Sequence, residues 1–137
     1  MQKSIDDIDF EKSGGLIPII VQDANTKDVL TLAYSNKESL ELTKKTGNSW
    51  FWSRSRNKLW MKGEESGNTQ KVKEILVDCD YDAVIYLVEP SGPACHTGER
   101  VCFHNNLEKF KVDLVSLMGR TILSKTVIPS SSGPLTI

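Results

Sequence analysis

The three cysteines and both histidines of the chain fall within one stretch, DCDYDAVIYLVEPSGPACHTGERVCFH, residues 78–104. Zinc prefers thiolates and imidazoles, and a catalytic zinc usually has three protein ligands and one position for water. Cys95 and Cys102 lie in or beside a loop rich in glycine, proline and polar residues, which is unlike a core. However, neither they nor Cys79 form a C-x-x-C pair, and free cysteine is often simply buried. A zinc site and three structural thiols therefore both remain open.

Three aspartates, Asp78, Asp80 and Asp82, occupy every second position at the start of this stretch. In an extended strand alternate side chains share a face, so we expect the three carboxylates on one face and Cys79 on the other. Carboxylate oxygens are ligands of magnesium and calcium, and a bound cation would relieve the repulsion between three like charges. A solvated turn, in which aspartate is common, is the alternative.

A basic segment, WFWSRSRNKLWMKGEESGNTQKV (residues 50–72), combines arginine and lysine with serine, glycine and asparagine. Arginine forks and the backbone amides of such turns suit phosphate oxygens. Trp52 and Trp60 would either stack on a nucleobase or join the core, which is the commoner fate of a strand tryptophan. Because the net charge of the chain is −1, a small phosphorylated ligand is favoured over a nucleic acid.

Length and composition indicate one globular domain, since the chain has 137 residues, of which 39% are hydrophobic and 26% charged. The first residues, MQKSIDDIDFEKSGG, contain no apolar run typical of a secretion signal. No apolar run approaches the roughly 18 residues that cross a bilayer. We therefore expect a cytoplasmic protein with reduced thiols and no membrane partner.

The elements that must position these residues form an α+β pattern, with a β-rich mixed sheet and one main helix at about 36–46. Spacing of a capping box from Ser35 to Glu38 predicts the start of that helix, and Gly47 its end. Pro18 predicts an edge or bulged first strand. The predicted strands are 16–21 and 29–34 as a hairpin, 50–52 and 59–61 as a second hairpin, and 71–77 and 83–88 around the aspartates.

The ends of the chain differ in character from its middle. Residues 1–15 are polar and are expected to form a flexible leader before a domain at 16–106. Leucine, phenylalanine and methionine at helical spacing predict a helix at about 106–119. We therefore expect residues 107–137 to be a C-terminal extension, partly helical and then flexible.

Four runs carry a resemblance to a known family: GLIPIIVQD, LTLAYSNKESLELT, SWFWSRSRNKLWMKGEESGNTQKVKEILVDCDYDA and GPACHTGERVCF. Over about residues 14–104 the chain resembles the phosphoribosyl-AMP cyclohydrolases of histidine biosynthesis. The resemblance implies hydrolysis of the adenine ring of phosphoribosyl-AMP between N1 and C6. It also implies an intertwined homodimer, with a zinc site shared between subunits. The implied ligands are Cys79, Cys95 and Cys102 for Zn²⁺, and Asp78, Asp80 and Asp82 for Mg²⁺.

Attack at C6 requires a water that is nucleophilic near neutral pH, and zinc lowers the pKa of its bound water. Zinc nucleobase deaminases add a glutamate in an H-x-E pattern, which is absent here. We therefore predict His96 as the proton-transfer group; orientation of a metal ligand is its alternative role. His104 receives no role. The substrate has two phosphates, and the predicted contacts are Trp52, Arg54, Arg56, Lys62, Thr97, Gly98 and Arg100.

The resemblance stops after residue 104. In some relatives a phosphoribosyl-ATP pyrophosphohydrolase domain follows, but the 33 residues left here are too few, so we expect a monofunctional enzyme. Two other functions remain open on the sequence. A zinc-dependent nucleotide deaminase would release ammonia, whereas a non-catalytic zinc module would bind RNA with a steep salt dependence.

Overall fold

Among residues 2–108, which a computed structural model describes, there are six strands and one α-helix. In chain order they are β1 (Ile17–Asp23), β2 (Val29–Ser35), α1 (Lys37–Thr46), β3 (Trp50–Ser53), β4 (Lys58–Met61), β5 (Gln70–Val77) and β6 (Val84–Pro90). One sheet has the order β2–β1–β6–β5, and β3 pairs with β4 alone. Only the β1–β6 pair is parallel, so the sheet is mixed. The predicted α+β class with a β-rich mixed sheet and one main helix is confirmed.

The position of β1 inside the sheet differs from the edge position that Pro18 suggested. The parallel ladder with β6 begins one residue later, at Ile19, which pairs with Val84. Pro18 therefore lies outside that ladder, and its missing N–H removes no hydrogen bond from it. A register shift does occur on the β2 side of the strand, but between Val21 and Gln22.

The helix α1 begins and ends close to its predicted bounds, although its capping pair is different. Asn36 is the N-cap: its side chain accepts a hydrogen bond from the Ser39 N–H at 2.8 Å, and Ser39 Oγ accepts one from the Asn36 N–H at 2.9 Å. Ser39 thus takes the reciprocal role expected of Glu38, because the cap lies one residue later than Ser35. Gly47 ends the helix with a φ of 78°.

The core lies between the sheet, α1 and the β3–β4 hairpin. Every second residue of β1 is buried, as expected of a strand with one face against a core. The ring of Phe51 lies 5.1 Å from Trp60 and 5.7 Å from Tyr86, centroid to centroid. Burial raises the pKa of Tyr86 to about 12, and its hydroxyl donates to the backbone oxygen of Trp50 at 3.3 Å. These aromatic contacts fix the β3–β4 hairpin on the sheet.

Residues 2–15, expected to belong to a flexible leader, form local structure and contribute to the core. They contain two short 3-10 helices, Ile5–Asp7 and Glu11–Ser13. Ile8 is only 8% exposed and belongs to the core, and Ile5 and Phe10 pack against it. The sequence did not predict this packing, because the segment is mostly polar and its few apolar residues are too irregularly spaced to indicate a helix or strand.

The chain divides into two units, Met1–Asn105 and Asn106–Ile137. All the elements above belong to the first unit. The predicted helix at about 106–119 and the flexible end lie almost wholly outside the described residues. Within residues 2–108, no helix has the length and apolar character needed to cross a bilayer.

Candidate active site

The loop that follows β6 is a narrow, closed turn. The Ala94 N–H donates to the backbone oxygen of Arg100, and the Cys95 N–H to that of Glu99, each at 3.1 Å. Gly98 has a φ of 95°, a conformation that a residue without Cβ adopts at little cost. The sequence GPACHTGE thus folds into a small loop that holds its cysteine at the base.

Cys95 and Cys102 border the same cavity, and their thiols differ in acidity. The backbone places Cys102 beside β2, because its N–H donates to the oxygen of Leu30 at 2.7 Å. Thr97 Oγ1 donates to Cys95 Sγ at 3.0 Å, and this bond, followed by the Thr97 N–H, lowers the pKa of Cys95 to about 6. Burial is the main cause that raises the pKa of Cys102, against a hydrogen bond with Thr31. Without a metal, the pair is a thiolate beside a thiol near neutral pH.

His104 is a neighbour of this pair that the sequence analysis left without a role. Its Nε2 lies 3.9 Å from Cys95 Sγ. The spacing C-F-H was an available signal, since residues two apart point to one side of an extended chain. The contact between Thr31 and Cys102 had no comparable signal, because it depends on the path of the whole chain.

Cys79 lies apart from the other two cysteines within one copy of the chain. It is exposed, in the turn between β5 and β6. Within the range 2–108, only one group of three or more candidate metal ligands has all its donor atoms within 4.8 Å of one another, and it is the aspartate group. One copy therefore does not bring the three predicted zinc ligands together.

The carboxylates of Asp78, Asp80 and Asp82 do converge, although not by the alternation of an extended strand. Strand β5 ends at Val77, and Tyr81 has a φ of 63°, so the chain reverses direction here. Asp78 Oδ1 accepts a hydrogen bond from the Asp82 N–H at 3.0 Å, which closes the turn. The carboxylates are close together as expected, but they lie in a turn, the alternative that the sequence left open, and not in an extended segment; β5 ends at Val77, where the predicted strand also ended.

The charges of this aspartate turn (residues 78–82) interact strongly. A hydrogen bond with Asp78 is the first cause that lowers the pKa of Asp80, whereas Asp80 itself raises the pKa of Asp82. Lys12 offsets part of the negative charge, with its Nζ 3.4 Å from Asp80 Oδ2 and 3.2 Å from Asp82 Oδ2. The turn is therefore an exposed anionic cluster with a lysine of the N-terminal segment in contact with it.

A cavity of about 490 Å³ opens beside the thiol pair, within the size range of small-molecule sites. Lys62 Nζ donates to the backbone oxygen of Pro93 at 3.4 Å, which links the segment after β4 to the loop after β6. Glu64 and Glu65 also line the cavity, although neither is among the predicted site residues. The predicted site residues on its wall are Arg56, Lys62, Cys95, His96, Gly98 and Cys102.

Two other predicted substrate contacts, Trp52 and Arg54, lie in a separate shallow depression. There the guanidinium of Arg54 stacks over the ring of Tyr34, 3.9 Å from its centroid. Such a cation–π contact stabilises the local surface. The contacts of Trp52 and Arg54 with a substrate stay a prediction.

Arg100, predicted to contact a phosphate, already has partners within the chain. Its guanidinium is bound by Asp23, with Nη2 2.9 Å from Oδ2, and by Asp28, with Nη1 2.8 Å from Oδ2. A guanidinium that already faces two carboxylates is a poor ligand for a phosphate. The loop sequence could not predict these contacts, because both partners lie in the first hairpin, far from Arg100 along the chain.

The donor sets suit the two metals implied by the sequence. A thiolate, a second thiol and a nearby imidazole are zinc ligands, but a structural or catalytic zinc needs at least one more protein ligand than the two thiols. The oxygens of the aspartate turn suit magnesium, which binds through one or two carboxylates and retains water. By the chemistry of their donors, both sites fit the expected ions.

Comparison with known proteins identifies the family. The family model for phosphoribosyl-AMP cyclohydrolase matches residues 31–104. A phosphoribosyl-AMP cyclohydrolase of Nitrosopumilus maritimus is 85% identical over 108 residues, which span 79% of this chain and 100% of that protein. The corresponding protein of Cenarchaeum symbiosum is 79% identical over 78% of this chain and 99% of its own length. The histidine biosynthesis bifunctional protein HisIE of Thermus thermophilus is 59% identical over 77% of this chain, which corresponds to 50% of that protein. The chain therefore belongs to the phosphoribosyl-AMP cyclohydrolase family of enzymes.

Proposed function

We propose that the chain hydrolyses phosphoribosyl-AMP in histidine biosynthesis by opening the adenine ring. Water adds its oxygen to C6, the N1–C6 bond breaks, and N1 takes a proton. The product is the formimino aminoimidazole carboxamide ribonucleotide. The observation that carries this proposal is one cavity lined by two thiols, His96 and two basic side chains, Arg56 and Lys62.

His96 is the residue that we propose to transfer the proton. It is exposed on the wall of the cavity, one residue after Cys95, so it can reach a substrate there. An imidazole can accept a proton from water and return it to a leaving nitrogen. In this proposal Lys62 and Arg56 bind one phosphate, and Gly98 offers its backbone to the other.

Cys95, Cys102 and Cys79 are the residues that we propose to hold zinc. When bound, zinc supplies the Lewis acidity that makes a water nucleophilic at neutral pH. Since Cys79 lies apart from the other two in one copy, we propose that it comes from a second copy in an intertwined homodimer. A two-fold dimer gives two such shared sites, because each copy offers both halves.

Asp78, Asp80 and Asp82 are the residues that we propose to hold magnesium. Their oxygens lie within 4.8 Å of one another and carry more negative charge than Lys12 neutralises. Because Cys79 belongs to the same turn, the magnesium ligands and one zinc ligand would move together. The turn would therefore bring a substrate-positioning ion close to the hydrolytic site.

The decisive experiment incubates the metal-loaded protein with phosphoribosyl-AMP and follows the ultraviolet change of ring opening, the ammonia released and the bound zinc. We expect ring opening without ammonia, and we expect Cys95→Ala and Cys102→Ala to lose turnover and zinc together. Circular dichroism of both variants would check that they fold. Release of ammonia would instead indicate a deaminase. Full activity in either cysteine variant would refute the zinc assignment.

A further inference from the structure

We infer that Arg100 is a positioning residue that fixes the cysteine loop (residues 94–102) to the first hairpin, and that it does not bind the substrate. The inference rests on the proposed function, since it names how the thiol pair of that site is held. Arg100 lies two residues before Cys102 and does not line the cavity. Its effect on the reaction would therefore pass through the thiols.

The guanidinium of Arg100 is held by three side chains at the end of β1 and in the turn that leads to β2. Nη1 donates to Asp28 Oδ2 at 2.8 Å, and Nη2 donates to Asp23 Oδ2 at 2.9 Å and to Thr26 Oγ1 at 3.0 Å. An arginine in such a fork is held in one orientation, because several of its fixed donors are used at once. The contact is thus a specific clamp rather than a single surface ion pair.

Because Asp23 is buried, loss of the Arg100 guanidinium would destabilise this clamp. Its side chain is only 7% exposed, whereas that of Asp28 is 57% exposed. Asp23 Oδ1 also accepts hydrogen bonds from the N–H groups of Asn25 and Thr26, at 2.8 and 3.1 Å, so the carboxylate shapes the turn itself. Removal of Arg100 would leave a buried carboxylate without its partner, which is the costly way to break an ion pair.

The clamp connects two parts that are each held by further backbone hydrogen bonds. On the hairpin side, the Ala24 N–H donates to the oxygen of Val88 at 2.8 Å, which ties the turn to β6. On the loop side, the backbone oxygen of Arg100 accepts the Ala94 N–H at 3.1 Å, next to Cys95. Arg100 therefore fixes the loop at a point between its two cysteines.

A positioning role and a phosphate contact predict different kinetics. A lost phosphate contact weakens substrate binding and raises KM. A misplaced thiol pair lowers the affinity for the metal and lowers kcat, with little change in KM. Substitution of residues that hold metal ligands in place commonly lowers metal affinity about 10–100-fold. The two roles can therefore be separated in the same variants.

The experiment compares Arg100→Gln, Arg100→Lys, Asp23→Asn and the Arg100→Gln/Asp23→Asn double variant. Binding of Co²⁺ in place of zinc is followed by thiolate-to-metal absorption, and kcat and KM are measured with phosphoribosyl-AMP. We expect Arg100→Gln to lower Co²⁺ affinity and kcat each by about tenfold or more, with KM within about twofold. Arg100→Lys should recover part of both losses. The double variant should lose no more Co²⁺ affinity or kcat than Arg100→Gln, because both substitutions remove the same contact.

Arg56→Gln is the matched comparison, since Arg56 lines the cavity and its loss should raise KM. A tenfold rise in KM for Arg100→Gln, with Co²⁺ affinity unchanged, would show a substrate contact and overturn the inference. Unchanged Co²⁺ affinity and unchanged kinetics would overturn it as well. If Arg100→Gln did not fold, the changes in Co²⁺ affinity, kcat and KM of Arg100→Lys and Asp23→Asn would distinguish the two roles in the same way. Failure of the wild type to open the ring would refute the proposed function alone, because Co²⁺ affinity tests the clamp independently.

Discussion

Cys95 and Cys102 are the same residue type with different acidity, and their neighbours account for the difference. The hydroxyl and N–H of Thr97 stabilise negative charge on Cys95, whereas burial disfavours charge on Cys102. With Cys95 already a thiolate, the pair of Cys95 and Cys102 loses one proton rather than two when it takes up a divalent cation. Metal uptake is thereby favoured near neutral pH.

His96 can be tested by a substitution that keeps its size. We expect His96→Gln to lower kcat by roughly 10²–10⁴-fold with zinc content unchanged, because the proton-transfer group is lost and the cysteine ligands are retained. Steady-state kinetics and metal analysis of the same preparation would measure both. Loss of zinc in step with activity would instead indicate that His96 orients a ligand.

Glu65 provides the control for this assignment, since it lines the same cavity and is exposed. If His96 transfers the proton, Glu65→Gln should retain a far larger kcat than His96→Gln. The opposite order would assign the proton transfer to Glu65, in the way that zinc deaminases use a glutamate.

At the scale of elements, the aspartate turn shows what a sequence pattern can and cannot predict. The spacing of Asp78, Asp80 and Asp82 predicted that their carboxylates meet, and they do. It did not predict the path of the chain, because D-x-D-x-D suits both a strand and a turn. The choice depends on where β5 stops pairing with β6 and on Tyr81, which adopts a left-handed φ that its residue type does not favour.

Lys12 allows a test of the proposed magnesium site. Its ammonium contacts Asp80 and Asp82, so it competes with an added cation for the same oxygens. We expect Lys12→Met to bind Mn²⁺, as a probe for Mg²⁺, several-fold more tightly than the wild type, measured by electron paramagnetic resonance. Lys12→Arg is the matched control and should resemble the wild type. Weaker Mn²⁺ binding by Lys12→Met would mean that the lysine supports the site instead.

Asp23 predicts a pH dependence of stability. The hydrogen bond from Thr26 is the first cause that lowers its pKa, with Arg100 contributing, so the folded state favours the carboxylate more than the unfolded state does. This stabilisation is present above the ordinary aspartate pKa of about 3.9 and is lost as the pH falls through the lower folded value. We expect the free energy of unfolding to fall less steeply with acid in Asp23→Asn, measured by urea unfolding between about pH 5 and 3. Equal slopes would contradict the coupling.

At the scale of the whole molecule, the sequence predicted the fold class, the hairpins and the main helix, because each depends on local periodicity and turn residues. The sequence did not predict the interior position of β1 or the clamp between Arg100 and Asp23, since both depend on which strands become neighbours. The cysteines illustrate the same limit. Residue type marked all three as candidate ligands, but only Cys95 and Cys102 border one cavity within a single copy.

The proposed sharing of zinc between subunits can be tested by complementation. Cys79→Ala and Cys102→Ala homodimers should each be inactive. When the two are unfolded together and refolded as a mixture, half of the dimers combine the variants, and each of these has one intact site. We therefore expect about one quarter of the wild-type activity. No recovery, with heterodimers demonstrated by mass spectrometry, would place all three cysteines of a site in one subunit.

The parallel pair of β1 and β6 has a consequence for the order of folding. Each strand also belongs to a hairpin, β1 with β2 and β6 with β5, and hairpins close quickly because their ends are near in sequence. The parallel pairing, from Ile19 with Val84 onward, must close a long loop first and is entropically slow. Val88→Ala in this seam should therefore slow folding, whereas Arg100→Gln should mainly accelerate unfolding, as stopped-flow measurements in urea would show. Cys79 lies in the turn of one hairpin and Cys102 bonds to the other, so each copy would hold both halves of the proposed metal chemistry in fixed positions only after this slow pairing.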